Sequence, residues 1–160
     1  HSCGLQRLLQ HAKGQVFRVG PSAYEKHMER CQARCNPDEF NGISKEIVDA
    51  AYKVHTRLGP GLLESVYEAC VAHELEKKGM KVRRQLALPV VYDGLEFKEA
   101  YRLDLLVENS VIVELKTTEQ IHPVHRAQLL TYLKLSGRRL GLLITFNTRY
   151  IKQGISRVIL

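Results

Sequence analysis

The chain has 160 residues, of which 44% are apolar and 26% are charged, which suits one domain with a hydrophobic core and argues against disorder. No run approaches about 18 apolar residues and no apolar stretch follows the N-terminus, so neither a membrane span nor a secretory signal is predicted. Four cysteines are too few for a disulfide scaffold and favour a cytoplasmic protein.

The formal net charge of +7 is placed unevenly along the chain. Residues 1–119 contain 17 basic and 17 acidic residues and are therefore neutral, whereas residues 120–160 contain seven Lys and Arg and no Asp or Glu. An uncompensated basic segment indicates a polyanionic partner, with nucleic acid before an anionic membrane surface. A solvated basic face is the alternative interpretation.

Residues 1–40 are predicted to form an N-terminal extension of unclear role, because glycines and prolines interrupt its short periodic runs. Within it, His27, Cys31 and Cys35 have the spacing of one helical face. A structural zinc site needs four such ligands. Either a further upstream residue completes a zinc site, or these cysteines are ordinary surface or packing residues.

Two helices are predicted to follow the extension. Apolar residues recur at helical spacing between residues 43 and 58, with Asn41 or Ser44 as the N-cap. Gly59-Pro60-Gly61 ends this helix, and a second helix runs from there to Gly79. The apolar stripe of the second helix is predicted to consist of Leu63, Val66, Tyr67, Cys70, Val71 and Leu75.

Strands dominate the rest of the chain. A hairpin is predicted where Asp93-Gly94 joins two runs of strand-forming residues. Two further strands turn around Asn109, and a helix opened by Pro123 and closed by Gly137 comes next. The predicted elements are strands 85–92 and 95–101, two strands within 101–118, helix 123–136, strand 140–147 and a short last strand through 157–159.

The order of these elements, αα-ββββ-α-β with the short last strand, is typical of an α/β domain. We therefore expect residues 41–160 to form one domain with a central mixed β-sheet flanked by helices.

The hairpin around Asn109 contains Asp104, Glu114 and Lys116. A two-residue turn would send the two acids to opposite faces of the sheet, whereas a three-residue loop over 108–110 would set Asp104 opposite Glu114, with their Cβ atoms about 5 Å apart. In that register Lys116 lies on the same face, roughly 7 Å further along. Apolar neighbours on both strands favour the three-residue loop.

Two carboxylates in a half-buried strand pair repel each other and raise each other's pKa. A divalent cation between them removes that repulsion, and oxygen ligands suit Mg²⁺. A lysine beside the cation can position water or stabilise charge on a phosphate. The alternative is a simple ion pair between Glu114 and Lys116, with Asp104 at a strand end.

These residues resemble a known motif. Asp104 followed by Glu114-Leu115-Lys116 resembles the D…E-x-K core of the PD-(D/E)XK nuclease superfamily, although Leu103 replaces the proline of that signature. The segment from Gly61 through Glu64 to Tyr67 is similar to the motif of the GxxExxY family within the superfamily. Gln128 and Tyr132 resemble the Q-x-x-x-Y motif of RecB-like and Cas4-like nucleases. The resemblance covers about residues 41–160 and implies a restriction-endonuclease-like fold.

The resemblance also implies a catalytic site. Asp104, Glu114, the main-chain carbonyl of Leu115 and Glu64 would hold Mg²⁺ or Mn²⁺, and Lys116 would be the catalytic lysine. Without the resemblance, Glu64 is equally well explained as a solvated acid at the edge of its helix. No iron–sulfur cluster is expected, because the cysteines of Cas4-like relatives are not matched.

Substrate contacts are expected from the helix over 123–136. Gln128 and Tyr132 would contact the substrate backbone or support the site, and His125 would face the same cleft. A polar helix face and a surface histidine are the alternatives for these three residues. Tyr67 would brace Glu64. Phosphates are expected to be bound by Arg126 and Lys134.

We therefore expect a Mg²⁺-dependent nuclease that uses a metal-activated water, acting on DNA rather than RNA and located in the cytoplasm without a membrane partner. The alternative is a nucleic-acid-binding, defence or regulatory module that keeps the fold without efficient catalysis. Relatives in the superfamily are often dimers, so a homodimer stays open, although no heptad or apolar stripe indicates one.

Overall fold

The computed structural model describes residues 37–160. The predictions for residues 1–36, including the arrangement of His27, Cys31 and Cys35, lie outside the described residues. Within the described part of the chain, no helix has the length and apolarity needed to cross a membrane.

The first helix, α1, runs from Pro37 to Leu58 and so begins before the predicted N-cap at Asn41 or Ser44. The prediction of that start was wrong because the first turn tolerates proline, which has no N–H to satisfy there. Asp38 and Glu39 in the same turn carry negative charge where the helix dipole favours it.

The second helix, α2, spans Glu64–Glu76 and has a different buried face from the predicted stripe. Leu63 precedes the helix and is 74% exposed, and Val66 is 39% exposed. From Tyr67 onwards, every fourth residue is buried, and these residues form one line along the helix. Val66 points about 100° around the helix axis from that line. The buried residues of α2 are Tyr67, Glu68, Val71, Ala72, Glu74 and Leu75.

Among the described residues, five strands form one mixed sheet in this order: β1 Val82–Tyr92, β2 Leu95–Val107, β3 Val111–Lys116, β4 Leu140–Thr145 and β5 Ile155–Ile159. Strands β3 and β4 are parallel and all other neighbours are antiparallel. The α/β class and the last short strand are therefore confirmed. Two further elements follow β3: helix α3, Pro123–Ser136, before β4, and a 3₁₀ turn, Ile151–Gly154, before β5.

Within residues 37–160, three strands rather than four precede α3, because residues 95–107 form a single strand where two were expected. The segment between Phe97 and Leu106 contains no Gly, Pro or Asn, so nothing in it favours a turn. Strand β2 pairs with β1 along most of its length, with one register shift between Leu88 and Val90. The two strands therefore make a long hairpin at one edge of the sheet.

Helices cover both faces of the sheet. One apolar cluster joins α1 and α2 to residues such as Leu105, Val113 and Leu115. The other joins α3 to residues such as Leu106 and Ile112. Alternation along each strand thus sends successive side chains to different helices. A sheet with helices on both faces has its core on each side of β3, the strand that carries Glu114 and Lys116.

Helix α3 approaches the sheet closely at Gly141 of β4. A Cβ atom at this position would lie 2.8 Å from Cδ1 of Leu129. Leu129 is fully buried on the sheet-facing side of α3. The absence of a side chain at Gly141 therefore sets how near α3 lies to the parallel strands.

Candidate functional site

The β2–β3 hairpin has the three-residue loop. Residues 108–110 connect the strands, and the paired residues are Leu105 with Val113 and Val107 with Val111. Glu108 and Asn109 both have positive φ, at 49° and 53°, a conformation that asparagine tolerates well. The predicted register is confirmed, and one step further it sets Asp104 opposite Glu114.

The two strands stop pairing at that step. Beyond Leu105 and Val113, the main-chain N–H of Leu115 donates a hydrogen bond to Oδ2 of Asp104 at 2.8 Å. The carboxylate thus takes the place of a main-chain acceptor. Because the N–H and C=O of one strand residue point to the same edge, the carbonyl of Leu115 faces the same gap.

Glu114 is the most buried acid of this group, with 3% of its side chain exposed. Its Oε1 accepts a hydrogen bond from Nζ of Lys116 at 2.6 Å. Its Oε2 is buried and has no hydrogen-bond partner within the described part of the chain. An unpaired carboxylate oxygen in such a place is costly unless a ligand uses it.

Burial raises the pKa of both acids. It raises the pKa of Asp104 to about 6, against the opposing effects of the Leu115 N–H and of the Lys116 charge. Burial also raises the pKa of Glu114 to about 7, and the neighbouring charge of Asp104 adds to the increase. Burial alone would lower the pKa of Lys116, but its hydrogen bond and charge interaction with Glu114 outweigh that effect and raise it. The lysine therefore stays protonated while the acids hold protons unusually tightly.

The carboxylate and main-chain oxygens of these residues together suit a divalent cation. In residues 37–160, no three His, Cys, Asp or Glu side chains are grouped closely enough to hold a metal ion by themselves. The unpaired Oε2 of Glu114, the carboxylate of Asp104 and the carbonyl of Leu115 nevertheless supply oxygen donors at one gap in the sheet. Mg²⁺ is commonly held by one or two carboxylates together with main-chain oxygens, water and substrate.

Glu64 lies near Asp104 and Glu114. It is the first residue of α2 and is partly buried. Its negative charge contributes to raising the pKa of both Asp104 and Glu114. The structure therefore brings the three predicted acids within electrostatic reach of one another.

Tyr67 anchors the turn that precedes Glu64. Its hydroxyl donates to the carbonyl of Gly59 at 2.6 Å and accepts from the N–H of Leu62 at 3.1 Å. The ring is buried and stacks on Phe146 with centroids 4.2 Å apart. Gly59 has a positive φ of 67°, so the turn itself suits glycine. These contacts determine where α2 starts and thereby where Glu64 lies.

Sequence reasoning missed Glu68, which is buried one turn after Glu64. Its carboxylate accepts hydrogen bonds from Nε of Arg84 at 2.8 Å and from Nε2 of Gln85 at 2.5 Å. The amide of Gln85 also lies 3.5 Å from Oδ1 of Asp104. An acid within the apolar stripe of α2, four residues after Glu64, was the available signal.

Helix α3 places Gln128 and Tyr132 beside the acids. Nε2 of Gln128 donates to the hydroxyl of Tyr132 at 2.5 Å, and the two residues are one turn apart. Burial raises the pKa of Tyr132 well above its usual range, and the charge of Glu114 raises it further. The ring of Tyr132 also meets that of Tyr101 edge to face, with centroids 5.4 Å apart.

His125 lies near the same group. Its Nδ1 accepts a hydrogen bond from the main-chain N–H of His122 at 3.3 Å, at the start of α3. Burial lowers the pKa of His125, and the positive charge of Lys116 lowers it further. A neutral imidazole therefore lies within electrostatic reach of the lysine.

The structure does not bring Arg126 and Lys134 to the acids. The guanidinium of Arg126 donates to Oγ of Ser156 on β5, whereas Tyr132 contacts Tyr101 on β2. Lys134 is exposed in the last turn of the helix. These two cations therefore have different surroundings from Gln128 and His125, although all four belong to one helix.

The sequence matches the model of a known protein family. Residues 41–158 match the family model of the PD-(D/E)XK nuclease superfamily. A solved structure titled "Crystal structure of SSO0001" is similar with a TM-score of 0.41 and 13% sequence identity, covering 92% of this chain and 78% of that chain. No curated protein matches the sequence at a significant level. With its D…E-x-K residues on neighbouring strands of a mixed sheet, the chain belongs to the PD-(D/E)XK nuclease superfamily.

Proposed function

We propose that this protein is a divalent-metal-dependent nuclease that hydrolyses phosphodiester bonds in DNA. One observation carries the proposal: Glu114 is almost fully buried, with one oxygen bonded to Lys116 and the other without a partner among the described residues. Asp104 lies beside it and raises its pKa. Such an arrangement costs stability, and a bound cation would offset that cost.

In this proposal Asp104, Glu114, the main-chain carbonyl of Leu115 and Glu64 hold Mg²⁺ or Mn²⁺. A cation bound there would supply positive charge that stabilises the phosphate oxygens in the transition state. The carboxylate of Asp104 is already oriented by the N–H of Leu115. Glu68 is a positioning residue, because it reaches Asp104 through Gln85.

Lys116 is the catalytic lysine of the proposal. Its raised pKa keeps Nζ protonated at neutral pH, so that beyond the N–H donated to Glu114 two further N–H donors remain. These donors can hold the attacking water or a phosphate oxygen, where charge develops in the transition state. Its side chain is partly buried, which strengthens such hydrogen bonds relative to those made in water.

Gln128 and Tyr132 are proposed to orient the substrate backbone. Their hydrogen bond leaves the second amide hydrogen of Gln128 available for a phosphate or sugar oxygen. His125 stands nearest to the start of α3 and adds a neutral donor or acceptor there. The proposal includes Tyr67 as the residue that positions Glu64.

We also propose a narrower family, the limits of the nuclease domain and a cytoplasmic location for the protein. The anchoring of Gly59 and Leu62 by Tyr67 supports membership of the GxxExxY family. The family match from residue 41 supports a nuclease domain over 41–160 with residues 1–40 as an extension. A cytoplasmic location agrees with the small number of cysteines.

The alternative is a nucleic-acid-binding, defence or regulatory module without efficient catalysis. The buried acids argue for the enzyme, because carboxylates beside a binding surface repel phosphates and add nothing to affinity unless a cation is held.

A cleavage assay tests the proposal. The full chain is incubated with linear duplex, circular duplex and single-stranded DNA, and with RNA, in Mg²⁺, in Mn²⁺ or in EDTA. We expect cleavage of DNA that requires the metal and falls at least about 100-fold in Lys116→Ala. Lys45→Ala, an exposed residue of α1 paired with Asp49, is the matched control and should cleave as the wild type does.

Two results would contradict the proposal. Equal cleavage by Lys116→Ala and the wild type would remove the assigned role of the lysine. Failure to cleave any substrate in either metal, with salt-sensitive DNA binding retained, would favour the binding module.

A further inference from the structure

A polar groove lies beside the candidate site, at the carboxyl ends of β3 and β4. It has a volume of about 750 Å³, which is within the usual range for ligand-binding clefts. The loop after β3, the start of α3 and the segment after β4 enclose it. Its lining includes Gln120, Arg126, Asn147, Arg149, Gln153 and Ser156.

The groove adjoins the strand that carries Lys116. Thr145 lines the groove and is the register partner of Lys116 on the neighbouring parallel strand. Strands pair at roughly 4.8 Å, so the groove begins one strand away from the lysine. The N–H of Phe146 donates to the carbonyl of Lys116 at 2.9 Å, which holds the start of the groove to the end of β3.

The groove has the chemistry of a phosphate-binding surface. Arg126 is oriented by its hydrogen bond to Ser156, and Arg149 lies over the ring of Tyr150 at 5.3 Å. A guanidinium presents several donors in a planar fork that suits phosphate oxygens. Asn147 contributes a further neutral donor. Among the described residues that line the groove, Glu119 alone is acidic.

We propose that this groove binds the phosphodiester backbone of the nucleotides adjoining the bond to be cut. The inference rests on the proposed function and defines its substrate class: a polynucleotide that continues past Lys116, across the end of β4, towards β5. A single phosphodiester or a dinucleotide would leave the arginines of the groove without a partner. Arg149, Asn147 and Gln153 thereby become substrate contacts that the sequence motifs do not include.

Binding of fluorescently labelled DNA in EDTA, measured by anisotropy over a range of salt concentrations, tests the inference without any cleavage. Arg126→Ala and Arg149→Ala should each weaken binding about tenfold and lower the slope of log K against log salt by about 1. Arg139→Ala is the matched control. It removes the same charge from the same basic segment, but at the start of β4, the opposite end from the groove. Its affinity should stay within about twofold of the wild type.

Glu119→Gln gives a result that misfolding cannot produce. Removing the one acid of the lining should tighten DNA binding about two- to threefold at low salt, with a smaller effect at high salt. Affinities of Arg126→Ala and Arg149→Ala equal to that of Arg139→Ala would overturn the inference, and so would unchanged binding by Glu119→Gln. The wild type could cleave nothing while only the groove variants lose DNA binding. That result would refute the proposed nuclease activity and support the inference that the groove binds DNA.

Discussion

The carboxylate of Asp104 accepts a hydrogen bond from the main-chain N–H of Leu115 at the step where β2 and β3 separate. A side chain thus continues the hydrogen bonding of the sheet after the main-chain pairing ends. Because Leu115 lies between Glu114 and Lys116, this bond relates Asp104 to both of them. The D…E-x-K motif therefore has a structural role before any metal or substrate binds.

The substitution Asp104→Asn removes the negative charge of this residue but can keep its hydrogen bond to Leu115. Asparagine can still accept from Leu115 through its amide oxygen, so the fold should be retained. Cleavage should fall at least about 100-fold, because a neutral amide is a poor ligand for Mg²⁺. Thermal melts check the cause: Mg²⁺ or Mn²⁺ should raise the Tm of the wild type and leave that of Asp104→Asn unchanged. An equal rise in both proteins would show that Asp104 does not hold the cation.

The raised pKa values of Asp104 and Glu114 predict a pH dependence of stability without metal. Burial raises the pKa of Asp104 to about 6 and that of Glu114 to about 7, from ordinary values of 3.8 and 4.5. Between these limits the folded state binds more protons than the unfolded state, so the free energy of unfolding falls as pH rises from about 4 to 7. Urea denaturation in EDTA at pH 5 and pH 8 measures the fall.

Glu114→Gln is the control for this pH dependence. The amide keeps nearly the same shape and does not titrate, so the fall in the free energy of unfolding should become smaller. We also expect saturating Mg²⁺ to reduce the fall in the wild type, because the cation stabilises the charged carboxylates. A wild type and a Glu114→Gln variant with parallel pH profiles would contradict the buried, proton-holding state of Glu114.

Tyr67→Phe removes one hydroxyl and with it two hydrogen bonds, to Gly59 and to Leu62. The free energy of unfolding should drop by about 1–2 kcal/mol, since the ring still stacks on Phe146 while two main-chain groups lose a partner. Cleavage should also decrease, because the turn before Glu64 becomes less well positioned. Tyr52→Phe, an exposed tyrosine of α1, is the control and should change neither quantity. Unchanged cleavage by Tyr67→Phe would separate this turn from the site.

Gly141→Ala should push α3 away from the sheet. The new Cβ would lie 2.8 Å from Leu129, so the free energy of unfolding should fall by about 1–3 kcal/mol. Combining it with Leu129→Ala tests the cause, because removal of the leucine side chain makes room for the new methyl group. The double variant should be less destabilised than the two single changes added together. Strict additivity would show that the two positions do not compete for space.

Local patterns in the sequence predicted the central strands well. The loop around Asn109 and the apolar neighbours of Asp104 predicted the register that the structure shows. The spacing of Glu114 and Lys116 predicted their common face, and their side chains do meet. Such relationships depend on residues within about 15 positions of each other, where alternation and loop length decide the geometry.

Contacts between distant segments were harder to predict. Glu68 is buried because Arg84 and Gln85 reach it from β1, and nothing in the period of α2 shows that they do. Gln85 itself has a positive φ of 50° inside a strand, which its residue type does not suggest. Arg126 was predicted to bind phosphates from the charge of its segment, and the pattern of α3 does not show that it donates a hydrogen bond to Ser156 on β5. In each example, contacts with residues distant in the sequence determine where the side chain lies.

The parallel pairing of β3 with β4 makes completion of the site a late event during synthesis. Parallel neighbours need a long crossover, and here residues 117–139, including α3, lie between the two strands. A nascent chain that ends before Thr145 therefore carries Glu114 and Lys116 on a strand with one bare edge. Only after β4 emerges from the ribosome can that edge pair and α3 settle over the acids. We therefore expect Glu114 and Lys116 to reach their final burial only at that moment, because α3 and β4 complete their surroundings.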